Sequence, residues 1–114
     1  MTIEERLKEI EQRYIHLIED IFVLTLSDEI FKIILKLRGQ TTLRVMERWK
    51  NNELVRYSYY WLDSDDNIKI GWDNAPHHKK MNTYPHHKHI GGKIEPSYKY
   101  TLDQVLKTIS NKLK

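Results

Sequence analysis

The 114-residue chain has no cysteine, three prolines, four glycines and no uninterrupted apolar run approaching the roughly 18 residues that a membrane-crossing helix needs. Without thiols there can be no disulfide, no thiolate nucleophile and no cysteine-type zinc site, so any metal must be held by histidine and carboxylate. The scarcity of Pro and Gly excludes a linker-rich or low-complexity chain, and an apolar content of 39% excludes disorder. No Gly-rich phosphate-binding motif is present, which leaves a nucleotide-dependent transferase chemistry without a signature. The opening segment is acidic and amphipathic rather than signal-like, so a cytoplasmic protein with no membrane partner is expected. A single domain over 1–114 is also expected, since domains commonly run to about 100–150 residues.

What is present begins with a helix signal. Thr2 followed by Glu5 is a capping box, and Ile3, Leu7, Ile10, Tyr14, Leu17, Ile18 and Ile21 recur at three- and four-residue spacing. The spacing predicts one amphipathic helix of about five turns, with His16 off its apolar stripe. From Ile30 the period changes to two. Ile33, Leu35 and Leu37 form one strand, Leu43 and Val45 a second, Val55, Tyr57, Tyr59 and Trp61 a third, and Ile68, Ile70 and Trp72 a fourth. Turn signals at Gly39-Gln40, Asn51-Asn52 and Asp63 to Asn67 separate them. After Asp73 both periods are lost, and a long loop with at most one short strand is expected. Thr101 and Gln104 repeat the capping box before a second amphipathic helix carrying Leu102, Val105, Leu106, Ile109 and Leu113. The fold class is therefore α+β, with N- and C-terminal amphipathic helices packed on a mainly antiparallel sheet of four to five strands.

Five of the six histidines fall in the loop, as His77, His78, His86, His87 and His89. Imidazole titrates near neutral pH and can both take and give a proton, which suits general acid-base chemistry. In an extended segment His87 and His89 point together while His86 and Lys88 point the other way. Asp73, at the end of the preceding strand, is placed to orient one of these rings, and His77 or His78 to approach from the other end of the loop. Two chemistries fit. In metal-independent RNA cleavage, histidines move the protons while Lys88, Lys79 or Arg56 holds phosphate. Alternatively His87, His89, Asp73 and one of His77 or His78 bind a divalent metal.

The run from Arg56 to Trp61 reads as half core, through Tyr57, Tyr59 and Trp61, and half surface. Arg56 and Tyr60, on the surface half, are candidates to contact phosphate or stack on an unpaired base. Glu47 interrupts an apolar strand face, and both a sheet edge and a second carboxylate near the site are open for it. A net charge of +3 with pI near 9.0 suits RNA or an acidic partner, although the basic residues are dispersed through the sequence.

Arg56-Tyr57-Ser58-Tyr59, the element Trp72-Asp73-Asn74-Ala75-Pro76-His77-His78, the element Tyr84-Pro85-His86-His87-Lys88-His89 and Glu95-Pro96-Ser97 together resemble the TumE toxin family. The resemblance spans Ile30 to Leu113 and implies a toxin with a cognate antitoxin encoded beside it. It favours Asp73, Asn74, His87 and His89 as site residues over His86. The toxin role and the histidines together lead to an expected endoribonuclease, a hydrolase acting on bound RNA. Its candidate catalytic residues are Asp73, His77, His78, His87 and His89, and its candidate substrate contacts are Arg56, Tyr60, Asn74 and Lys88. The alternative is a non-enzymatic or metal-binding toxin that acts by docking a cellular target.

Overall fold

The structure is a computed structural model that describes residues 2–114. In chain order the elements are α1 (Ile3–Arg13), β1 (Ile18–Leu26), β2 (Ile30–Leu37), β3 (Thr41–Lys50), β4 (Glu53–Leu62), β5 (Ile68–Asp73), β6 (His87–Ile90), β7 (Lys93–Pro96) and α2 (Leu102–Lys112). All seven strands join one antiparallel sheet in sequence order, so each strand pairs with the one before it. The α+β architecture with a helix at each end is as the sequence indicates, but the sheet has seven strands rather than four or five.

The three strands beyond the four read from the sequence have different origins. The first helix stops at Arg13, where the Tyr14 N–H still reaches the Ile10 carbonyl, and the apolar stripe beyond it belongs partly to β1. Residues Ile21 to Leu26 are rich in β-branched, aromatic and leucine side chains, which fit a pleated surface. A tight turn at Ser27, whose N–H donates to the Ile30 carbonyl, then returns the chain so that β1 can pair with β2. The other additions, β6 and β7, form a hairpin across Gly91 and Gly92, with φ of 57° and 75°. Positive φ at both central residues is the requirement of a type I′ hairpin turn, and it is met without a Cβ penalty.

Alternation along the strands divides the sheet into two unlike faces. Phe31, Ile33, Leu35, Leu43, Val45, Tyr57, Tyr59, Ile70 and Trp72 point to one face and form a buried cluster with Leu102, Val105, Leu106 and Ile109 of α2. The first helix lies on the same face. Its Arg6 reaches Glu47 of β3, while Arg13 and Tyr14 meet Asp103 of α2. Among the described residues no helix covers the opposite face, on which Arg44, Met46, Arg48, Arg56, Ser58 and Tyr60 lie side by side.

Glu47 is at neither of the positions left open by the sequence. It is fully buried in mid-sheet beneath α1, on the face away from the histidines. Arg6 grips both carboxylate oxygens, at 2.5 and 2.9 Å, while the Tyr59 hydroxyl and the Trp49 indole N–H donate at 2.6 and 3.1 Å. The Arg6 guanidinium also lies over the rings of Phe31 and Trp49. Burial and the adjacent Glu47 carboxylate both push the Tyr59 phenol up, so it stays a neutral donor. This network pins α1 to the sheet. Arg6→Ala strands a buried carboxylate and is expected to lower the unfolding free energy by about 3 kcal/mol in urea denaturation. The double variant Arg6→Met/Glu47→Leu, which removes both charges, should recover most of the loss, and failure to recover would show that shape rather than charge holds the helix.

Candidate functional site

The register of β4, β5 and β6 brings three side chains to one point on the open face. Asp73 pairs with Ser58 on one side and with His87 on the other, and Gly71 pairs with Tyr60 and His89. The Asp73 carboxylate is gripped by both imidazoles. Nε2 of His87 lies 2.8 Å from Oδ1, and Nε2 of His89 lies 3.3 Å from Oδ2. Two further donors complete its surroundings, the Ala75 N–H to Oδ1 at 2.9 Å and the Tyr60 hydroxyl to Oδ2 at 2.5 Å. Burial acts to raise the Asp73 pKa, but the Tyr60 hydroxyl, the Ala75 N–H and the two histidines outweigh it, and the net shift is downward. Asp73 is therefore a carboxylate at neutral pH.

The two rings differ in what they have free. His87 is buried, and its Nδ1 donates to the Pro85 carbonyl at 3.0 Å, so both its nitrogens are engaged. His89 is about a quarter exposed, and among the described residues its Nδ1 makes no hydrogen bond. A carbonyl only accepts, so Nδ1 of His87 carries hydrogen, and a neutral His87 presents a bare Nε2 to a carboxylate oxygen. Two lone pairs at that distance repel. Either a second proton or a cation between them removes the conflict. Asp73, His87 and His89 each offer one ligand atom, and the three atoms lie within 4.8 Å of one another. That donor set, with a backbone carbonyl fixing the far nitrogen of His87, suits a divalent transition metal.

The remaining candidates are distributed unevenly. His78 stands edge-on to His87 at 5.2 Å between ring centroids, so the loop returns it toward the cluster, whereas His77 is exposed and meets only His78, at 6.3 Å, among the rings of the described residues. His78 has φ of 60°, a left-handed conformation unusual for a side chain with a Cβ. Arg56 is exposed on the open face, one strand-face position along from Ser58. Lys88 occupies the alternate position of β6, level with Trp72 and Glu95, and so faces away from Asp73. Asn74 has a backbone role: its side chain accepts from the Tyr57 N–H at 2.8 Å and donates to the Val55 carbonyl at 3.1 Å, continuing the ladder past the end of β5. His86 faces the core side, where it stacks on Tyr57 and meets its hydroxyl at 2.9 Å. Burial, together with Lys99 and His87, holds the His86 pKa down.

The family model described as Toxin TumE matches residues 3–113. The chain belongs to the TumE toxin family. No curated protein and no solved structure matches it. Membership makes this protein a toxin of a toxin-antitoxin pair, with a cognate antitoxin as its partner. Among the described residues no helix is long and apolar enough to cross a membrane.

One contributor to the site of this TumE protein escapes a reading by chemical residue type. Gly71 offers no functional group, yet it is opposite both Tyr60 and His89. A Cβ at Gly71 would stand 2.3 Å from the Tyr60 ring, so only glycine lets that ring lie across β5. Lying there, Tyr60 tilts against His89 at 5.7 Å and delivers its hydroxyl to Asp73. An isolated glycine inside a strand pattern is the available signal for such a close approach. Gly71→Ala is expected to displace Tyr60 and loosen the grip on Asp73. Toxicity in a growth assay should fall to the level of Tyr60→Phe while circular dichroism still reports the native sheet. Undiminished toxicity in both variants would remove Tyr60 from the site.

Proposed function

We propose that this TumE toxin is an endoribonuclease in which His89, oriented by Asp73, is the principal proton-transferring group. The observation that carries the reading is the asymmetry of the two rings. Asp73 engages Nε2 of both, but of the two rings only the partly exposed His89 keeps a nitrogen with no hydrogen-bond partner among the described residues. A carboxylate behind an imidazole fixes its tautomer and orientation and stabilises the imidazolium that forms, which is the logic of many hydrolase triads. His87 and Tyr60 then act on the carboxylate rather than on substrate, as positioning residues.

In the reaction the ribose 2′-oxygen attacks the adjacent phosphorus as His89 takes its proton. The bond from phosphorus to the 5′-oxygen breaks, and the departing oxygen receives a proton from His78 or His77, leaving a 2′,3′-cyclic phosphate and a 5′-hydroxyl. Arg56, exposed on the same face one strand-face position along β4 from Ser58, the partner of Asp73, would hold the charged phosphate. RNA is the substrate of this reading because the attacking hydroxyl is the ribose 2′-OH, which DNA lacks.

A second reading rests on the conflict at His87 described above. If a divalent cation relieves it, Asp73, His87 and His89 would hold the metal, which would supply Lewis-acid stabilisation of the phosphate or a bound hydroxide. Purified toxin incubated with total cellular RNA, with and without chelator, separates the two. Cleavage unaffected by chelator, and reduced about 10²- to 10⁴-fold by His89→Ala, is the expected result for the acid-base site. Cleavage abolished by chelator and restored by added metal would instead support the metal-bound form. Intact RNA in every lane, under a toxin dose that arrests growth, would overturn both and leave a toxin that acts by binding.

A further inference from the structure

On the open face, cations outnumber carboxylates. Among the positions of β2, β3 and β4 that point there, Lys32, Lys36, Arg44, Arg48 and Arg56 are all exposed and none is acidic, while the carboxylates nearby are Asp20 of β1, opposite Lys36, and Asp66, which lines one wall of the groove. Among the described residues none of these five is in an ion pair, whereas Arg6 and Arg13 on the other face are both paired. The dispersed basic residues of the sequence are thus gathered by strand alternation into one patch. Between them the floor is apolar. Leu24, Ile34 and Met46 line a groove of about 600 Å³ that crosses the strands, with Lys32 and Arg44 among its walls. Tyr60 lines the same groove and donates its hydroxyl to Asp73, so the groove and the Asp73 cluster share a wall.

We propose that this groove is the track for a single RNA strand, with Arg44, Arg48 and Lys32 on its phosphates and the apolar floor and Tyr60 under its bases. The proposal rests on the ribonuclease reading for what happens at the end of the track but not for the binding itself. Two features select a single strand over a duplex. Unpaired bases can lie on a flat apolar and aromatic surface, whereas a duplex hides its bases and offers mainly phosphate and groove edges. Unpaired arginines spaced four residues apart along β3, Arg44 and Arg48, suit a flexible backbone that can bend to meet both, and each released counterion makes the binding salt-dependent.

The test is fluorescence anisotropy with a short labelled single-stranded RNA of mixed sequence, in a His89→Ala background that prevents turnover. Arg44→Glu/Arg48→Glu is compared with Lys107→Glu/Lys112→Glu, which makes the same charge change on exposed positions of α2. The proposal expects the open-face variant to bind at least about tenfold more weakly with a shallower salt dependence, and the α2 variant to bind as the parent does. Thermal denaturation of both variants verifies that they fold. Equal losses in the two variants would mean that net charge alone attracts RNA, and the track would be wrong. Equally tight binding of a duplex of the same sequence would overturn the single-strand assignment. Unchanged RNA affinity with lost antitoxin binding would give the face to the antitoxin instead. Should parent protein bind RNA through these arginines yet never cleave it when His89 is restored, the catalytic reading fails and the track stands.

Discussion

The carboxylate of Asp73 is the point on which the site depends, because four groups from three separate elements of chain converge on its two oxygens. One histidine, one tyrosine hydroxyl and a second histidine come from strands, and one amide comes from the loop that follows β5. A charge buried to this degree is tolerable only when each lone pair is met. These four groups are therefore not interchangeable decoration around a stable core. Each restricts the position of the others, and the order of the strands is what makes their meeting possible. Had β6 been connected elsewhere in the sheet, neither His87 nor His89 would stand beside β5.

Strand β4 ties the two faces of the protein together. Its odd positions Tyr57 and Tyr59 point to the helices, where Tyr59 donates to Glu47 and Tyr57 meets His86. Its even positions Ser58 and Tyr60 point to the open face, where Tyr60 donates to Asp73. A slip of one residue would exchange the two sets and break both networks at once. Asn74 guards against it, since its side chain closes hydrogen bonds to the backbone of Tyr57 and Val55 just beyond Asp73. The residue following the carboxylate thus fixes the register that positions the carboxylate.

How much of this is legible in the sequence depends on the range of the interaction. Period-two alternation shows that His87 and His89 share a face and that Lys88 does not, because parity is a local property of an extended chain. The capping boxes at Thr2 and Thr101 are equally local and mark both helix starts. The end of the first helix is not local. Ile18 and Ile21 continue its apolar stripe, and only pairing with β2 draws that segment into a strand, an instance of tertiary contact overriding a periodic signal. The Gly91-Gly92 turn is a local hairpin signal that the histidine-rich loop around it obscures. Glu47 needs Arg6, 41 residues away in sequence, to account for its burial, and the gathering of dispersed arginines on one face needs the whole strand order.

Several costs fall together around Asp73. A glycine interrupts β5 where any side chain would strike Tyr60, His78 adopts a left-handed backbone, and a carboxylate is buried against imidazoles. Each lowers stability relative to an ordinary residue in an ordinary conformation. The second buried carboxylate, Glu47, makes an instructive contrast. It is matched by a guanidinium whose charge is permanent, so the pair is a fixed anchor for α1. Asp73 is matched instead by two imidazoles, a phenol hydroxyl and an amide, none of which carries a permanent charge. A fold that needed only an anchor would have little reason to set such groups on the uncovered side of the sheet beside its cationic groove.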